Sequence, residues 1–447
     1  MQINFNSAVS KNNYNFTGSN KNPHNVSSFI NPDRMVDSFI NMPTEDTGAN
    51  EQLAETQIPS SEGQKTFAKK LEELLKKMNL KDVEIDEHSI VTATLDSNIG
   101  DDAPVIGLLA HMDTSPDAPT KGVKPQIHDY KGGDIKLKEN TIILADDLKD
   151  CIGKKIITSD GTTLLGADDK AGIAEILETI NVLKEHPELK HPKIRIAFTP
   201  DEETGMGINK FDIKRFGADV AYTVDGDLPA VMENESFNAF NPEVIIKGKN
   251  VHAGYAYKKM VNANTIANKF INKLPKNQTP ETTKGRQGYF HVSDINGSVE
   301  ETKINMLVRD FDLTKAQKRV EFLQNLAAEI EKKYPGCSIA VTPNERYRNM
   351  KESINELPEV VEYAKEGIKK TGLTPKTAAI RGGTDGARLS LKGLLTPNIG
   401  AGGRNFHSKT EFLPIEDMKQ CTENIINILS VWVEKAPKIM PKILLRR

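Results

Sequence analysis

The chain is poor in the residues that would announce a secreted scaffold or a membrane protein: 447 residues contain three cysteines and one tryptophan, and aromatics make up 6%. Cys151, Cys337 and Cys421 are odd in number and far apart, which weighs against a disulfide framework and against a thiolate metal cluster. A reducing cytoplasm is therefore the expected compartment. No run approaches the ~20 apolar residues that a membrane helix needs, and the start, MQINFNSAVSKNNYNFTGSNKNPHN, has neither the basic opening nor the apolar core of a signal peptide. Excess charge is lacking too. Lys plus Arg (59) nearly balances Asp plus Glu (62), leaving a formal charge of -3, so neither nucleic acid nor an anionic membrane is an expected partner.

The length allows two cores. Residues 1–29 are rich in Asn and Ser and read as a disordered extension. From Gln64 to Leu80, Phe67, Leu71, Leu74, Leu75 and Met78 recur at helical spacing. Short apolar runs follow: PVIGLLAHMD (104–113), KIRIAFTPDEE (193–203) and DVAYTVDGD (219–227) each read as a buried strand whose far end meets charge, with a helix at KAGIAEILETINVLKEH (170–186). This alternation predicts an α/β domain with a mainly parallel sheet and helices on both faces, where sites form beyond the strands' carboxyl ends. From about Asn241 the order becomes β-α-β-β-α-β, the ferredoxin-like unit. After about Asn349 the α/β texture returns. The expected layout is an extension (1–29), a catalytic domain in two parts (30–238 and 349–447) and an inserted α+β domain (239–348).

Polar clusters stand at the predicted strand ends: His111 with Asp113, Asp168 with Asp169, and Glu202 with Glu203, joined by Asp225 and a distant His407. Singly, each reads as a structural histidine or a helix cap. Together in one crevice they repel unless a cation compensates them. Carboxylates and imidazoles without thiolates suit Zn²⁺, or Mn²⁺ and Co²⁺. The set suffices for two ions sharing a carboxylate, about 3.5–4 Å apart, with water activated between them. Strand alternation puts His111 and Asp113 on one face, so one can bind metal while the other orients it. Glu202 and Glu203 diverge, which leaves one as ligand and one to accept a proton. Asp201 reads as a turn or cap residue.

The segments HMDTSPD, GTTLLGADDKAG, FTPDEETG, YTVDGD, NVHAGYAYKKMVNA, RGGTDG and TPNIGAGGRNFH, in this order, resemble the peptidase T family of tripeptide aminopeptidases, within the clan of dimetal exopeptidases and deacylases. The likeness runs from about Ile30 to the last helix. It implies two Zn²⁺ per chain, one held by His111, Asp168 and Asp225 and the other by Asp168, Glu203 and His407. Asp168 rather than Asp169 is then the bridge, Asp113 orients His111, and Glu202 is the general base. It further implies a homodimer through the inserted domain, in which His252 reaches a partner's site to polarise the scissile carbonyl. Arg381, Arg309 and Asn262 are the expected substrate contacts, the arginines for the peptide's terminal carboxylate. Ala253 and Arg404 depart from the family's usual proline and histidine. The competing expectations are another activity of the clan, a dipeptidase or an N-acyl amino acid amidohydrolase, and a binding protein without catalysis.

Overall fold

The computed structural model describes residues 26–446. Residues 1–25 of the expected extension lie outside them, whereas Phe29 stacks on His186 and Ile30 enters the main core. In chain order, strands β1 (Lys81–Ile85), β2 (Val91–Leu95), β3 (Ile106–His111), β4 (Ile194–Thr199), β5 (Val220–Gly226) and β6 (Val231–Ser236) come first. Then follow β7 (Asn238–Phe240), β8 (Glu243–Lys247), β9 (Tyr289–Gly297), β10 (Glu301–Asp310), β11 (Ser338–Thr342) and β12 (Glu345–Tyr347). β13 (Lys376–Ile380) and β14 (Asn398–Gly400) complete the strands of the two larger sheets; shorter strands between β3 and β4 and after β14 form two small ones. The helices that matter here are α1 (Glu62–Lys77), α2 (Ala167–Glu185), α3 (Ala263–Asn272), α4 (Leu313–Lys333), α5 (Glu359–Lys370), α6 (Asp385–Leu391) and α7 (Ile415–Arg446).

The main sheet has the order β1-β2-β4-β3-β5-β14-β6-β13. Its centre, β4, β3, β5 and β14, is parallel, as expected from buried apolar runs joined by helices. The sheet is nevertheless mixed: β1 and β2 are antiparallel additions at one edge, and β6 runs against β14. The reversal at β6 has a local cause. Residues 227–230 are too short for a crossover, so β6 must turn back, and β14 occupies the place between it and β5.

Strand alternation builds two cores from this one sheet. Leu108, Ile196, Val220 and Tyr222 face a core shared with α2 and α7, whereas Leu109, Ala197 and Ala221 face a smaller one with Phe211, Phe216 and Leu389. Helix α1 closes the first core with Phe67, Leu71 and Leu75, the stripe read from the sequence. Burying side chains of this size contributes about 1.5–3 kcal/mol each. The single tryptophan is fully buried on α7; Trp432 Nε1–H donates to Tyr222 Oη (2.9 Å), whose hydroxyl donates to Val360 O (2.7 Å), tying α7, β5 and α5 together.

The second sheet is antiparallel, in the order β11-β8-β10-β7-β12 with β9 also paired to β10. Val244, Ile246, Ile304, Met306 and Val308 pack on Ile266 and Phe270 of α3 and on Val320, Leu323 and Ile330 of α4. The β-α-β-β-α-β order is realised from β8 to β11, with β7 and β12 added at its flanks. Asn349 locks the two chain crossings between the sheets: its Oδ1 accepts Ser236 N–H (3.1 Å), its own N–H donates to Asn238 Oδ1 (3.0 Å), and its Nδ2 donates to Phe311 O (3.0 Å). Among the described residues no helix is long and apolar enough to cross a membrane.

Candidate metal centre and substrate cleft

The parallel strands deliver the polar residues to one edge. His111 ends β3, Asp225 lies near the end of β5, Glu202 and Glu203 follow β4, Asp168 opens α2, and His407 comes from the loop after β14. His111 Nε2 lies 2.7 Å from Asp168 Oδ1 and 3.5 Å from Asp225 Oδ1. His407 Nε2 lies 3.2 Å from Asp168 Oδ2 and 3.0 Å from Glu203 Oε2. The two oxygens of Asp168 thus address two different groups. Asp169 also stands within ligand reach of His111 and Asp225. Its oxygens, however, are occupied by backbone: Oδ2 accepts His111 N–H (3.2 Å) and Oδ1 accepts Gly172 N–H (3.1 Å).

Buried supports fix these side chains. Asp113, fully buried, accepts Glu202 N–H through Oδ1 and Glu203 N–H through Oδ2, both at 3.0 Å, while its carbonyl oxygen lies 3.1 Å from His111 Nδ1. Asp113 therefore sets both the imidazole, through its carbonyl, and the two acids of the turn, through its carboxylate. Asp201 does more than the turn role expected of it. It adopts φ +52°, uncommon without a glycine, and is fully buried. Its carboxylate accepts Ser60 N–H (2.6 Å), the Ser60 hydroxyl and Gln64 Nε2 (2.8 Å), which pins the turn to the start of α1. Glu411, also buried, accepts the N–H groups of Leu165 (2.8 Å), Gly166 (2.8 Å) and Asp168 (3.0 Å), shaping the loop that presents Asp168. Asp385 N–H, at the start of α6, donates to Glu202 Oε1 (3.2 Å), and Asp117 Oδ2 lies 3.2 Å from His407 Nδ1.

These four acids, Asp117, Asp201, Asp385 and Glu411, are not among the ligands, bases and substrate contacts expected from the sequence. Asp117 and Asp385 lie within the motifs HMDTSPD and RGGTDG; Glu411 has no sequence signal, since its partners lie more than 240 residues away.

Concentrated negative charge in a buried place dominates the electrostatics. Burial pushes Glu203 up to about 8 and Asp225 up to about 7, in each case reinforced by Asp168. Burial, then the charge of Asp385, raises Glu202 well above the usual carboxylate range. Burial would raise Asp168 also, but hydrogen bonds with His111 and His407 outweigh it and hold the group low. Hydrogen bonds to Asp168 and Glu203 push His407 up to about 12. Glu203 Oε1 is buried without a hydrogen-bond partner. Carboxylate and imidazole atoms lying within 4.8 Å of one another, one orphaned oxygen and no thiolate are the donor set of divalent cations of the zinc, manganese or cobalt type.

A cleft of about 570 Å³ opens over this cluster, lined by Asp168, Glu202, Glu203, Asp225 and His407 on one side and by Tyr347, Arg381 and Arg388 on the other. Not every expected substrate residue faces it. Arg381 does, but its Nη1 donates to Gly285 O (2.6 Å) and Gln287 O (2.9 Å), its Nη2 donates to Thr283 Oγ1 (3.1 Å), and its plane packs on Phe237 and Tyr289. Arg309 is buried in the second sheet, with Nη1 donating to Phe240 O (2.9 Å) and Asn241 Oδ1 (3.0 Å), and does not line the cleft. His252 and Asn262 are likewise absent from its walls. His252 sits on an exposed loop, where its Nδ1 accepts Gly254 N–H (3.1 Å), and Asn262 caps α3 by accepting Asn264 N–H (2.9 Å). Arg404 braces the His407 loop, donating to Gly402 O, Asp417 Oδ2 (2.6 Å) and Asp150 Oδ2 (3.3 Å).

Comparison with known proteins places this geometry among peptidases. A family model described as a peptidase dimerisation domain matches residues 234–336. A protein named Peptidase T from Clostridium novyi (strain NT) is 45% identical over 404 residues, 89% of this chain and 99% of that protein. The crystal structure of aminopeptidase PepT from Bacillus cereus ATCC 10987 superposes with a TM-score of 0.70 at 26% identity, covering 91% of this chain and all of the other. A tripeptidase from Staphylococcus aureus subsp. aureus Mu50 gives 0.73 at 24% identity with the same coverage, a likeness of fold.

Proposed function

The chain belongs to the peptidase T family, and from that premise we propose that it is an aminopeptidase that releases the N-terminal residue of tripeptides at a two-metal centre. The observation that carries the proposal is the placement of Asp168, whose two oxygens address separate imidazoles beneath a cleft rimmed by Glu202. His111, Asp168 and Asp225 would hold one ion, and Asp168, Glu203 and His407 the other, with Zn²⁺ the fitting metal and Mn²⁺ or Co²⁺ its substitutes. Such a pair supplies Lewis-acid polarisation of the peptide carbonyl and a water of lowered pKa.

The chain's own residues do the rest. Glu202 takes a proton from the attacking water and hands it to the departing amine nitrogen. It is held for this from two sides, by Asp113 through its N–H and by Asp385 N–H on its carboxylate. Residues 239–348 would serve as lid and dimerisation domain, a reading supported by the family match over 234–336. His252, exposed and away from its own cleft, fits a donor to the carbonyl in a partner's cleft, with Asn262 on the same segment as a further substrate contact. Three free cysteines support a cytoplasmic location.

The test is a substrate panel. Purified protein should release leucine from Leu-Gly-Gly and leave N-acyl amino acids intact. Hydrolysis of N-acyl amino acids with Leu-Gly-Gly untouched would overturn the assignment in favour of an amidohydrolase.

A further inference from the structure

Two arginines line the cleft, and they differ in how far their donors are already engaged. Arg381 spends its terminal nitrogens on Gly285 O, Gln287 O and Thr283 Oγ1. Arg388, on α6, is half-buried, lays its guanidinium against the Tyr347 ring (5.0 Å to the centroid), and has no side-chain hydrogen bond or ion pair among the described residues. Asp385, three residues earlier on the helix, feels its charge but makes no hydrogen bond or ion pair with it: its Oδ2 accepts the Thr199 hydroxyl (2.8 Å) and its Oδ1 is buried without a partner. The turn carrying Glu202 and Glu203 makes room for the guanidinium: a Cβ at Gly205 would collide with Arg388 Nη2. A fixed, unpaired cation thus stands beside the proposed general base, with Asp225, Asp227 and Glu233 elsewhere in the cleft wall.

We propose that Arg388 receives the C-terminal carboxylate of the peptide and so determines the preference for short substrates with a free C-terminus. The inference rests on the reading of the cleft as a tripeptide aminopeptidase site. The dimensions agree. In a tripeptide the terminal carboxylate lies two residues, about 7 Å, beyond the first peptide carbonyl. Asp385 N–H touches Glu202, and Arg388 follows three residues later on the same helical face, about 4.5 Å along the axis. Glu202 and Arg388 line the same cleft, so a long side chain based there can reach toward the terminal carboxylate. Its planar fork, held flat by Tyr347, offers two parallel donors to two oxygens. An acidic side chain on the substrate would present the same chemistry, so the experiment must vary the terminal carboxylate alone.

The measurement is kcat/KM for Leu-Gly-Gly and for Leu-Gly-Gly-amide, in wild type, Arg388→Gln and Arg388→Lys. Wild type should favour the free acid by roughly 10- to 100-fold, the range expected of hydrogen bonds to a charged partner. Arg388→Gln should bring the acid-to-amide ratio close to one, and Arg388→Lys should restore part of it. A ratio that survives Arg388→Gln, or equal losses on both peptides, would overturn the proposal while leaving the aminopeptidase reading intact. Failure of wild type to cleave either peptide would overturn both.

Discussion

Replacing Glu202 by Gln should lower kcat for Leu-Gly-Gly by about 10²–10⁴-fold, the usual share of a general acid–base group, without changing the metal content. Gln is the sharper choice because its side-chain oxygen can still accept Asp385 N–H, and the Asp113 bond to the Glu202 backbone is untouched. The cleft keeps its shape and loses only the group that carries the proton. Metal content measured on the same preparation separates the two acids of the turn. Glu202→Gln should retain two ions per chain, whereas Glu203 is a proposed ligand whose Oε2 faces His407. Turnover within tenfold of wild type would remove Glu202 from the mechanism.

Asp168→Ala should abolish measurable hydrolysis and, with it, the stabilisation that metal confers. Without that carboxylate, His111 with Asp225 and His407 with Glu203 become separate two-ligand half-sites, too few for tight zinc binding. In wild type a cation binds the folded chain and relieves repulsion among buried carboxylates, so adding zinc to metal-free protein should raise Tm; saturation at 100 times Kd is worth about 2.7 kcal/mol. In Asp168→Ala the zinc-dependent rise should largely disappear. Asp169→Asn is the instructive contrast. Its amide oxygen can keep one of the two backbone N–H bonds that the Asp169 carboxylate accepts from His111 and Gly172, and no proposed ligand is lost, so the thermal response to zinc should survive. If Asp169→Asn lost that response and Asp168→Ala kept it, the bridge would have been placed on the wrong acid.

The features read correctly from the sequence are those that a local period encodes. Apolar runs ending in charge mark the parallel strands, and the step of two along them explains why Leu108 and Leu109 enter different cores. The acids and histidines at those ends converge because adjacent parallel strands finish on one side. What escaped is long-range bonding. Nothing in the text around Ser60 and Gln64 says that they will hold Asp201, or in that around Glu411 that it will hold the loop before Asp168, for those pairs lie about 140 and 240 residues apart. The arginines show the same limit from the opposite direction. Arg381 is an expected carboxylate contact, yet the turn at 283–287 supplies it with acceptors, while Arg388, on α6, is left with none. Which guanidinium is free depends on the packing of distant segments.

The central claim is a tripeptide aminopeptidase whose activity depends on two ions sharing Asp168. Its most direct test is to strip the protein with chelator and titrate zinc back while following Leu-Gly-Gly hydrolysis and bound metal together. Hydrolysis should vanish on stripping and return to a plateau at two zinc ions per chain. Tripeptide hydrolysis that persists in metal-free protein, or that reaches its full value with a single ion bound, would contradict the account.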